Sequence, residues 1–344
     1  MNLPLVITMG DPAGIGPEII AKAFRDAPEP TRGCFVAGDV AALRRAAQVV
    51  QGDTGVPLPV AEIEQPQDAL HTPPRCVPVL QAVEPAAALP PFGQISQAAG
   101  RMAGQAVFWA ARAALRGEVG AIVTAPLNKA ALAAAGAPYD RFPGHTELLQ
   151  AEAAAHRGVP PDQAPVRMML ANDELRTVLV SIHVSLREAI ERVTAANVLQ
   201  TLRIAHAALA RALPSAPRLA VAGLNPHAGE GGLFGREEIE QIAPAIEHAR
   251  REGINAHGPL PPDTVFMRAR QGQFDAVIAM YHDQGLIPVK YLGVEQGVNV
   301  TLGLPFVRTS PDHGTAFDIA GTGRAAPARR LAALRMAQRL IDAC

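Results

Sequence analysis

The feature that most constrains this chain is a short apolar run followed at once by ionisable side chains. Residues 274–279 have the length and composition of a buried strand. They lead into MYHDQGLIPVK at residues 280–290, which contains His282, Asp283 and Lys290 and predicts a turn at Gly285. These side chains are costly to bury without partners. Open α/β sheets bind ligands at the carboxyl ends of their strands, so this stretch predicts a ligand site.

Other apolar runs also precede polar motifs. Buried strands are predicted at residues 5–8, 34–38, 121–124 and 219–223. Helical stretches separate them, which predicts an α/β fold. The first run continues into GDPAGIGPE at residues 10–18, which matches neither a Walker loop nor G-x-G-x-x-G. This motif suits a ligand loop at a helix N-terminus, and it suits a plain strand-to-helix turn equally well.

Composition excludes several classes of protein. The chain has 344 residues, so an ample core in one large unit or two domains is expected. Its formal net charge is -1, which does not predict the basic patch of a nucleic-acid-binding protein. No apolar run approaches the roughly 20 residues of a membrane span, and the N-terminus lacks a basic signal-peptide region. Three scattered cysteines predict a reduced, cytoplasmic protein without a thiolate metal site.

Three histidines lie in or just after predicted strands. They are His183, within an apolar run at residues 176–184, together with His227 and His282. Three neutral imidazoles with an open fourth position form a catalytic zinc-type site. Because the sequence spacing is long and no local metal motif supports this site, an alternative stays open, in which two are interior histidines and one is an active-site base.

A second group of side chains suits an anionic substrate. Lys290, Asn299 and Arg308 supply two cations and an amide, and arginine can hold phosphate through two parallel hydrogen bonds. Ordinary surface salt bridges are the alternative for the two cations. His145 and Thr146 could hold an anion at a helix N-terminus, although Thr146 also suits a simple helix cap.

Five motifs together carry a family resemblance. They are GDPAGIGPE at residues 10–18, PGHTE at 143–147, NPHAGE at 225–230, YHDQG at 281–285 and DHGTA at 312–316. In this order they resemble the 4-hydroxythreonine-4-phosphate dehydrogenase family, from about residue 5 to residue 325.

The resemblance implies a fold, a set of ligands and an assembly. The fold is α/β and similar to isocitrate and isopropylmalate dehydrogenases, with two α/β/α domains and a cleft between them. The first domain would comprise residues 1–140 plus 300–344, and the second residues 141–299. The family works as a homodimer with shared active sites.

The resemblance also implies the site residues. A divalent metal, zinc or else magnesium, manganese, cobalt or nickel, would bind His183, His227 and His282. A phosphorylated acid would contact His145, Thr146, Lys290, Asn299 and Arg308. The stretch at residues 313–321 is similar to a loop that binds the adenosine of NAD. This similarity implies that NAD contacts His313, Gly314, Thr315, Ala316 and Asp318.

The implied reaction is NAD-dependent oxidation at C3 of a 4-phosphorylated four-carbon hydroxy acid, with decarboxylation. Asp263, Asp283 and Lys129 are the candidates for the group that takes the hydroxyl proton, and any of them could instead support a metal-bound imidazole.

Residues 9–11, 125–129 and 317–320 resemble a catabolic paralogue of the family, and this resemblance favours 4-phospho-D-threonate or 4-phospho-D-erythronate as substrate. The alternative is 4-phosphohydroxy-L-threonine in vitamin B6 synthesis. A branch acting on aromatic cis-dihydrodiols is disfavoured, because His145, Thr146 and Arg308 are present. A more remote alternative is a phosphate-ligand binding protein without turnover.

Overall fold

The computed structural model describes residues 3–51, 55–293 and 296–342. The chain divides into two compact units. Unit 1 comprises residues up to 165 and residues 304–341, and unit 2 comprises residues 166–303. Each unit combines a sheet with helices, which confirms the predicted α/β fold class.

The sheet of unit 1 contains parallel strands. These are β1 (Leu5–Thr8), β2 (Cys34–Gly38), β3 (Val60–Ile63), β4 (Val77–Gln81), β5 (Ala121–Thr124) and β12 (Val307–Pro311). Their order is β3-β4-β2-β1-β5-β12. Every residue of β1, β2 and β5 is buried. Both faces of these strands are therefore covered, as parallel sheets require.

Some of the helices of unit 1 begin at a side-chain cap. The helices are α1 (Gly16–Asp26), α2 (Val40–Val50), α3 (Gln97–Leu115), α4 (Lys129–Ala134), α5 (His145–His156) and α11 (Ala328–Asp342). Asp39 caps α2 by accepting from the Ala42 backbone N–H, and Asn128 caps α4 in the same way. The cap position of α5 is Gly144, so Thr146 lies inside the helix and does not cap it.

Helix α5 lies in unit 1, although the resemblance assigned residues 141–299 to the second domain. Leu148 and Leu149 of α5 are fully buried. Glu152 accepts from Arg112 of α3 at 2.7 Å. These contacts hold α5 against α3 and explain why the segment up to residue 165 belongs with the first unit.

Unit 2 contains a mixed sheet. Its strands are β6 (Arg167–Ala171), β7 (Arg176–Leu179), β8 (Leu219–Ala222), β9 (Ala256–Leu260), β10 (Ala276–Ala279) and β11 (Val298–Leu302), in the order β11-β6-β7-β10-β8-β9. Strands β6 and β7 form an antiparallel pair, and β10 is parallel to both β7 and β8. The helices are α6 (Leu186–Glu191), α7 (Ala195–Ala212), α8 (Ala243–Arg251), α9 (Pro262–Arg270) and α10 (His282–Tyr291).

The structure corrects the expected turn at Gly285. This glycine lies inside α10, which begins at His282 and continues beyond it. A Cβ atom at Gly285 would lie 2.4 Å from Leu179 Cδ2 and 3.0 Å from Ala279 Cβ. The glycine is therefore needed for close packing of α10 against β7 and β10, and not for a change of direction.

Two other local predictions also differ from the structure. The strand expected over residues 176–184 ends at Leu179, which leaves His183 in the loop before α6. The glycine and prolines of residues 258–264 predict a rigid loop, but this stretch contains the end of β9 and the start of α9. Strand β9 is an edge strand, where proline is tolerated, so its Gly258-Pro259 pair concealed it in the sequence.

Cys34 and Cys76 are buried free thiols, and Cys344 lies outside the described residues. Among the helices of residues 3–51, 55–293 and 296–342, none has both the length and the apolar character needed to cross a membrane.

Candidate active site

Two of the three predicted metal-binding histidines lie side by side in unit 2. The ring centres of His183 and His282 are 5.5 Å apart. Two imidazoles on a tetrahedral zinc ion, with Zn–N bonds of about 2.0–2.1 Å, have ring centres about 5 Å apart. His282 Nδ1 lies 2.7 Å from Asp283 Oδ1, a contact that fixes the ring and leaves Nε2 as the metal-facing atom. The donor set and its spacing fit a divalent metal.

His227 lies on a strained loop after β8. The five consecutive residues from His227 to Gly231 all have positive φ, with values of 51°, 53°, 81°, 44° and 67°. Left-handed backbone costs roughly 1–2 kcal/mol for each residue that is not glycine. Such strain persists only where the surroundings enforce it, and it is concentrated at functional sites. The strained backbone presents the His227 side chain to solvent.

A buried carboxylate holds the base of this loop. Glu238 is 2% exposed, and its Oε1 accepts from the backbone N–H groups of Leu224 and Asn225, both at 2.7 Å. Its Oε2 accepts from Asn225 Nδ2 at 2.9 Å. Gln284 adds a second connection, because it accepts from Met280 N and donates to Gly223 O. The ends of β8 and β10 are therefore fixed relative to each other.

The chain does not bring His227 to the other two imidazoles. The aromatic neighbour of its ring is Phe234, with ring centres 6.3 Å apart. Over the part of the chain that the structure describes, no group of three or more histidine, cysteine or acidic residues is arranged to hold a metal. His183 and His282 form a pair, and the third predicted ligand is separate from it.

The structure places the three proton-acceptor candidates differently. Asp283 is exposed and is hydrogen-bonded to His282. A carboxylate in this position typically orients an imidazole that binds a metal. Asp263 is exposed in the first turn of α9. Lys129 is exposed at the start of α4 in unit 1. Of the three, Asp283 is the one that directly contacts a predicted metal ligand.

The predicted substrate residues divide between the two units. Arg308 and His145 lie in unit 1, with Thr146, whereas Lys290 and Asn299 are half-buried in α10 and β11 of unit 2. Arg308 is 3% exposed, and its Nη2 donates to Thr124 Oγ1 at 2.7 Å. Burial lowers the pKa of Arg308 to about 10, so the guanidinium stays charged at neutral pH. This burial differs from the exposed position expected for an arginine of an ordinary surface salt bridge.

His145 is neutral and lies within electrostatic reach of Arg308. Burial, and then the charge of Arg308, hold the pKa of His145 well below its usual 6.5. The Nε2 atom is shielded from solvent and has no hydrogen-bond partner. Buried polar atoms are nearly always hydrogen-bonded, so an orphaned one is typical of a ligand site.

The loop at residues 312–321, which is expected to bind NAD, packs against the motif at residues 10–18. Thr315 O accepts from Ile15 N at 3.0 Å. Ile15 and Ile19 pack against apolar residues of the loop, which are Ala316, Ile319 and Ala320. Gly314 and Asp318 remain exposed, and His313 is half-buried. An exposed carboxylate suits a ribose hydroxyl, so the residues present fit a dinucleotide.

Asp11 stabilises the loop at residues 10–18 from inside, but its buried Oδ2 atom has no hydrogen-bond partner among the described residues, so both interpretations of this motif stay open. Its side chain is fully buried, and Oδ1 accepts from Ala13 N at 2.8 Å within the same loop. Burial raises the pKa of Asp11 to about 6. The acid therefore stabilises the turn from inside, and the motif supports the neighbouring loop at residues 312–321.

The sequence patterns missed Arg330. This residue lies in the first turn of α11 and is fully buried. One signal in the sequence is the position of this cation in the first turn of a helix. A positive charge is unfavourable there, because it lies at the positive end of the helix dipole. Residues 326–343 have the pattern of an amphipathic helix, and such a pattern does not reveal a buried arginine.

Comparison with known proteins covers nearly the whole chain. The profile of the family described as "Pyridoxal phosphate biosynthetic protein PdxA" matches residues 31–337. A 4-hydroxythreonine-4-phosphate dehydrogenase of Beijerinckia indica is 52% identical over 94% of this chain and 90% of its own. A D-threonate 4-phosphate dehydrogenase of Pectobacterium atrosepticum is 44% identical over 99% of this chain and 100% of its own.

A solved structure gives the same result. The crystal structure of 4-hydroxythreonine-4-phosphate dehydrogenase from Klebsiella pneumoniae aligns with a TM-score of 0.86 and 40% identity, over 99% of this chain and 100% of that chain. Together with the profile match and the two relatives, this agreement shows that the chain belongs to the PdxA family.

Proposed function

We propose that this protein is an NAD-dependent and divalent-metal-dependent dehydrogenase that oxidises C3 of a 4-phosphorylated four-carbon hydroxy acid and decarboxylates the product. The observation that carries the proposal is the pair His183 and His282, whose ring centres are 5.5 Å apart, with Asp283 bonded to one of them. Family membership supports it, since the relatives compared above are named as dehydrogenases of 4-phosphorylated substrates.

The protein would hold the metal as a homodimer with shared sites. His183 and His282 supply two imidazoles from one subunit, and His227 of the partner subunit supplies the third. The separation of His227 from the pair within one chain supports this arrangement. A divalent ion bound there supplies Lewis-acid chemistry, which lowers the pKa of a coordinated hydroxyl group and stabilises negative charge that develops on oxygen. Zinc suits three histidines best.

The predicted phosphate residues of unit 1 would contact the phosphate group of the substrate. Arg308 is buried and charged, and His145 presents the orphaned Nε2 atom, so both are suited to phosphate oxygens. Thr146, Lys290 and Asn299 are assigned to the same substrate by the family resemblance.

The loop at residues 312–321 would bind NAD, which accepts hydride. His313, Gly314, Thr315, Ala316 and Asp318 form its binding surface. Asp283 already accepts from His282, so we assign it the role of orienting that imidazole. Asp263 and Lys129 then remain as candidates for the group that takes the hydroxyl proton.

We favour 4-phospho-D-threonate or 4-phospho-D-erythronate as the substrate, on the motif details at residues 9–11, 125–129 and 317–320. The relative from Pectobacterium atrosepticum supports this choice. The second candidate is 4-phosphohydroxy-L-threonine, which the 52% identity to the relative from Beijerinckia indica favours.

The test is NADH formation by the purified protein with added zinc, cobalt or magnesium. The two sugar acids and 4-phosphohydroxy-L-threonine are compared side by side, and NADP is offered as an alternative cofactor. We expect the largest kcat/KM with one of the sugar acids. A preference for the amino acid would move the protein to vitamin B6 synthesis. Metal binding without NADH from any of the three would contradict the proposed enzyme and favour a binding protein.

A further inference from the structure

Arg330 is a buried charge that the proposed reaction does not use. Its side chain is fully buried, and it is the largest of the fully buried side chains among the described residues. Its Nη1 donates to Val123 O at 3.4 Å, which is a long hydrogen bond. Its Nε and Nη2 atoms are buried without a hydrogen-bond partner. A guanidinium is expensive to bury, and leaving two of its nitrogens unpaired adds to the cost.

The surroundings of Arg330 increase this cost. Burial, followed by the charge of Arg308, lowers the pKa of Arg330 to about 9, so the guanidinium is still protonated at neutral pH. The side chain also lies in the first turn of α11, where the helix dipole disfavours a cation. Burial, a like charge and the dipole all disfavour the charge that the protein nevertheless keeps here.

Arg330 belongs to the same cluster as the predicted phosphate residues. It bonds Val123, and Arg308 bonds the adjacent Thr124, both at the end of β5. The charges of Arg308 and Arg330 both lower the pKa of His145, as does that of Lys129. The carboxylate acting on Arg308 is Glu147, which is exposed. The cluster therefore holds two buried positive charges and a neutral imidazole.

We propose that Arg330 is a positioning residue of the phosphate site, a second buried cation behind Arg308 that makes the site selective for a dianion over a monoanion of the same shape. Because Arg330 is fully buried, it acts through its field and not by touching the ligand. In a low-dielectric interior such a charge acts at longer range than in water. The field of a buried positive charge attracts a ligand with two negative charges more strongly than a monoanion of the same shape, so Arg330 favours the dianion.

This inference rests on the phosphate site of the proposed function, but its test requires neither turnover nor cofactor. Methyl phosphate at pH 8 is a dianion, since the second pKa of a phosphate monoester is about 6. Methyl sulfate has nearly the same shape and carries one negative charge. The affinities of both ligands are measured by calorimetry on the full-length protein, without metal or NAD, for the wild type and for variants of Arg330.

The wild type is expected to bind methyl phosphate at least about tenfold more tightly than methyl sulfate, because each step of about 1.4 kcal/mol is tenfold in affinity. Arg330→Met should remove most of this preference by weakening methyl phosphate binding, with little change for methyl sulfate. Arg330→Lys, which keeps the charge, should restore part of it. Arg335→Met, which removes an exposed cation from the same helix, should leave the ratio unchanged.

Thermal unfolding of the ligand-free protein gives an independent result. Replacing an uncompensated buried charge by an apolar side chain is often neutral or stabilising. The Arg330→Met variant should therefore unfold at a temperature no lower than the wild type. A variant that fails to fold, or that keeps the wild-type preference for methyl phosphate, overturns the inference. If the preference depends on Arg330 but no substrate is oxidised, the proposed dehydrogenase fails and the inference stands.

Discussion

Replacing His282 by alanine is expected to remove metal binding and to lower kcat/KM by about a thousandfold or more. A Lewis acid contributes several kcal/mol to such a reaction, and each 1.4 kcal/mol is tenfold in rate. The side chain of His282 is 34% exposed, so its loss should change the free energy of unfolding by less than about 1 kcal/mol. Metal content of the purified variant, kcat/KM and unfolding midpoint are the three measurements.

Two further variants make this prediction specific. Asp283→Asn keeps the size of the side chain that bonds His282, and it should weaken metal binding by about 10–100-fold. His248→Ala removes a histidine from the surface of α8 in the same unit, and it should change neither metal content nor rate. A His282→Ala protein that turned over near the wild-type rate would show that the metal assignment is wrong.

Replacing Arg308 by methionine is expected to raise the KM of the phosphorylated substrate by about 10–100-fold. A hydrogen bond to a charged group contributes roughly 1.5–3 kcal/mol, and each 1.4 kcal/mol is tenfold. Arg308 is held by Thr124 in a buried position, so no exposed side chain can replace it without rearrangement. The kcat should fall less than KM rises, since phosphate lies away from the oxidised carbon. Steady-state kinetics with saturating NAD and metal measure both parameters.

The matched control is Arg116→Met, which removes an exposed arginine that pairs with Glu118 on the surface of unit 1. Exposed pairs contribute little, so its KM should equal that of the wild type. An Arg308→Met variant with an unchanged KM would contradict the phosphate role of this residue.

Local patterns in the sequence were sufficient to locate about half of the strands that the structure describes. Residues 5–8, 34–38 and 121–124 are short apolar runs, and each is a strand with these bounds. Their prediction was reliable because a strand covered on both faces is apolar throughout. Cap residues were less informative, because Asp39 caps α2 by accepting from Ala42 N whereas Thr146, which also suits a cap, lies inside α5.

Patterns failed where a distant contact determines the local structure. Gly285 suggests a turn, but Leu179 and Ala279 require a glycine there so that α10 can pack closely. Nothing near Glu238 in the sequence reveals that this carboxylate holds the backbone of Leu224 and Asn225. The left-handed residues from His227 onward include an alanine and a glutamate, which propensity alone would not place in that conformation.

In the candidate site, too, some features follow from local sequence patterns and others depend on distant contacts. The sequence predicts His183, His282 and Arg308 as candidate site residues, because each is an ionisable residue in or beside an apolar run. The pairing of His183 with His282, the separate position of His227 and the burial of Arg330 depend on the fold.

The measurement that tests the central claim most directly is subunit complementation between His282→Ala and His227→Ala. If one subunit supplies His183 and His282 and its partner supplies His227, a mixed dimer contains one intact site and one doubly damaged site. Random pairing after co-expression in equal amounts should then restore about a quarter of the wild-type activity, although each variant alone is inactive. If all three histidines of a site came from one chain, every site in the mixture would lack a ligand, and activity would stay at the level of the single variants.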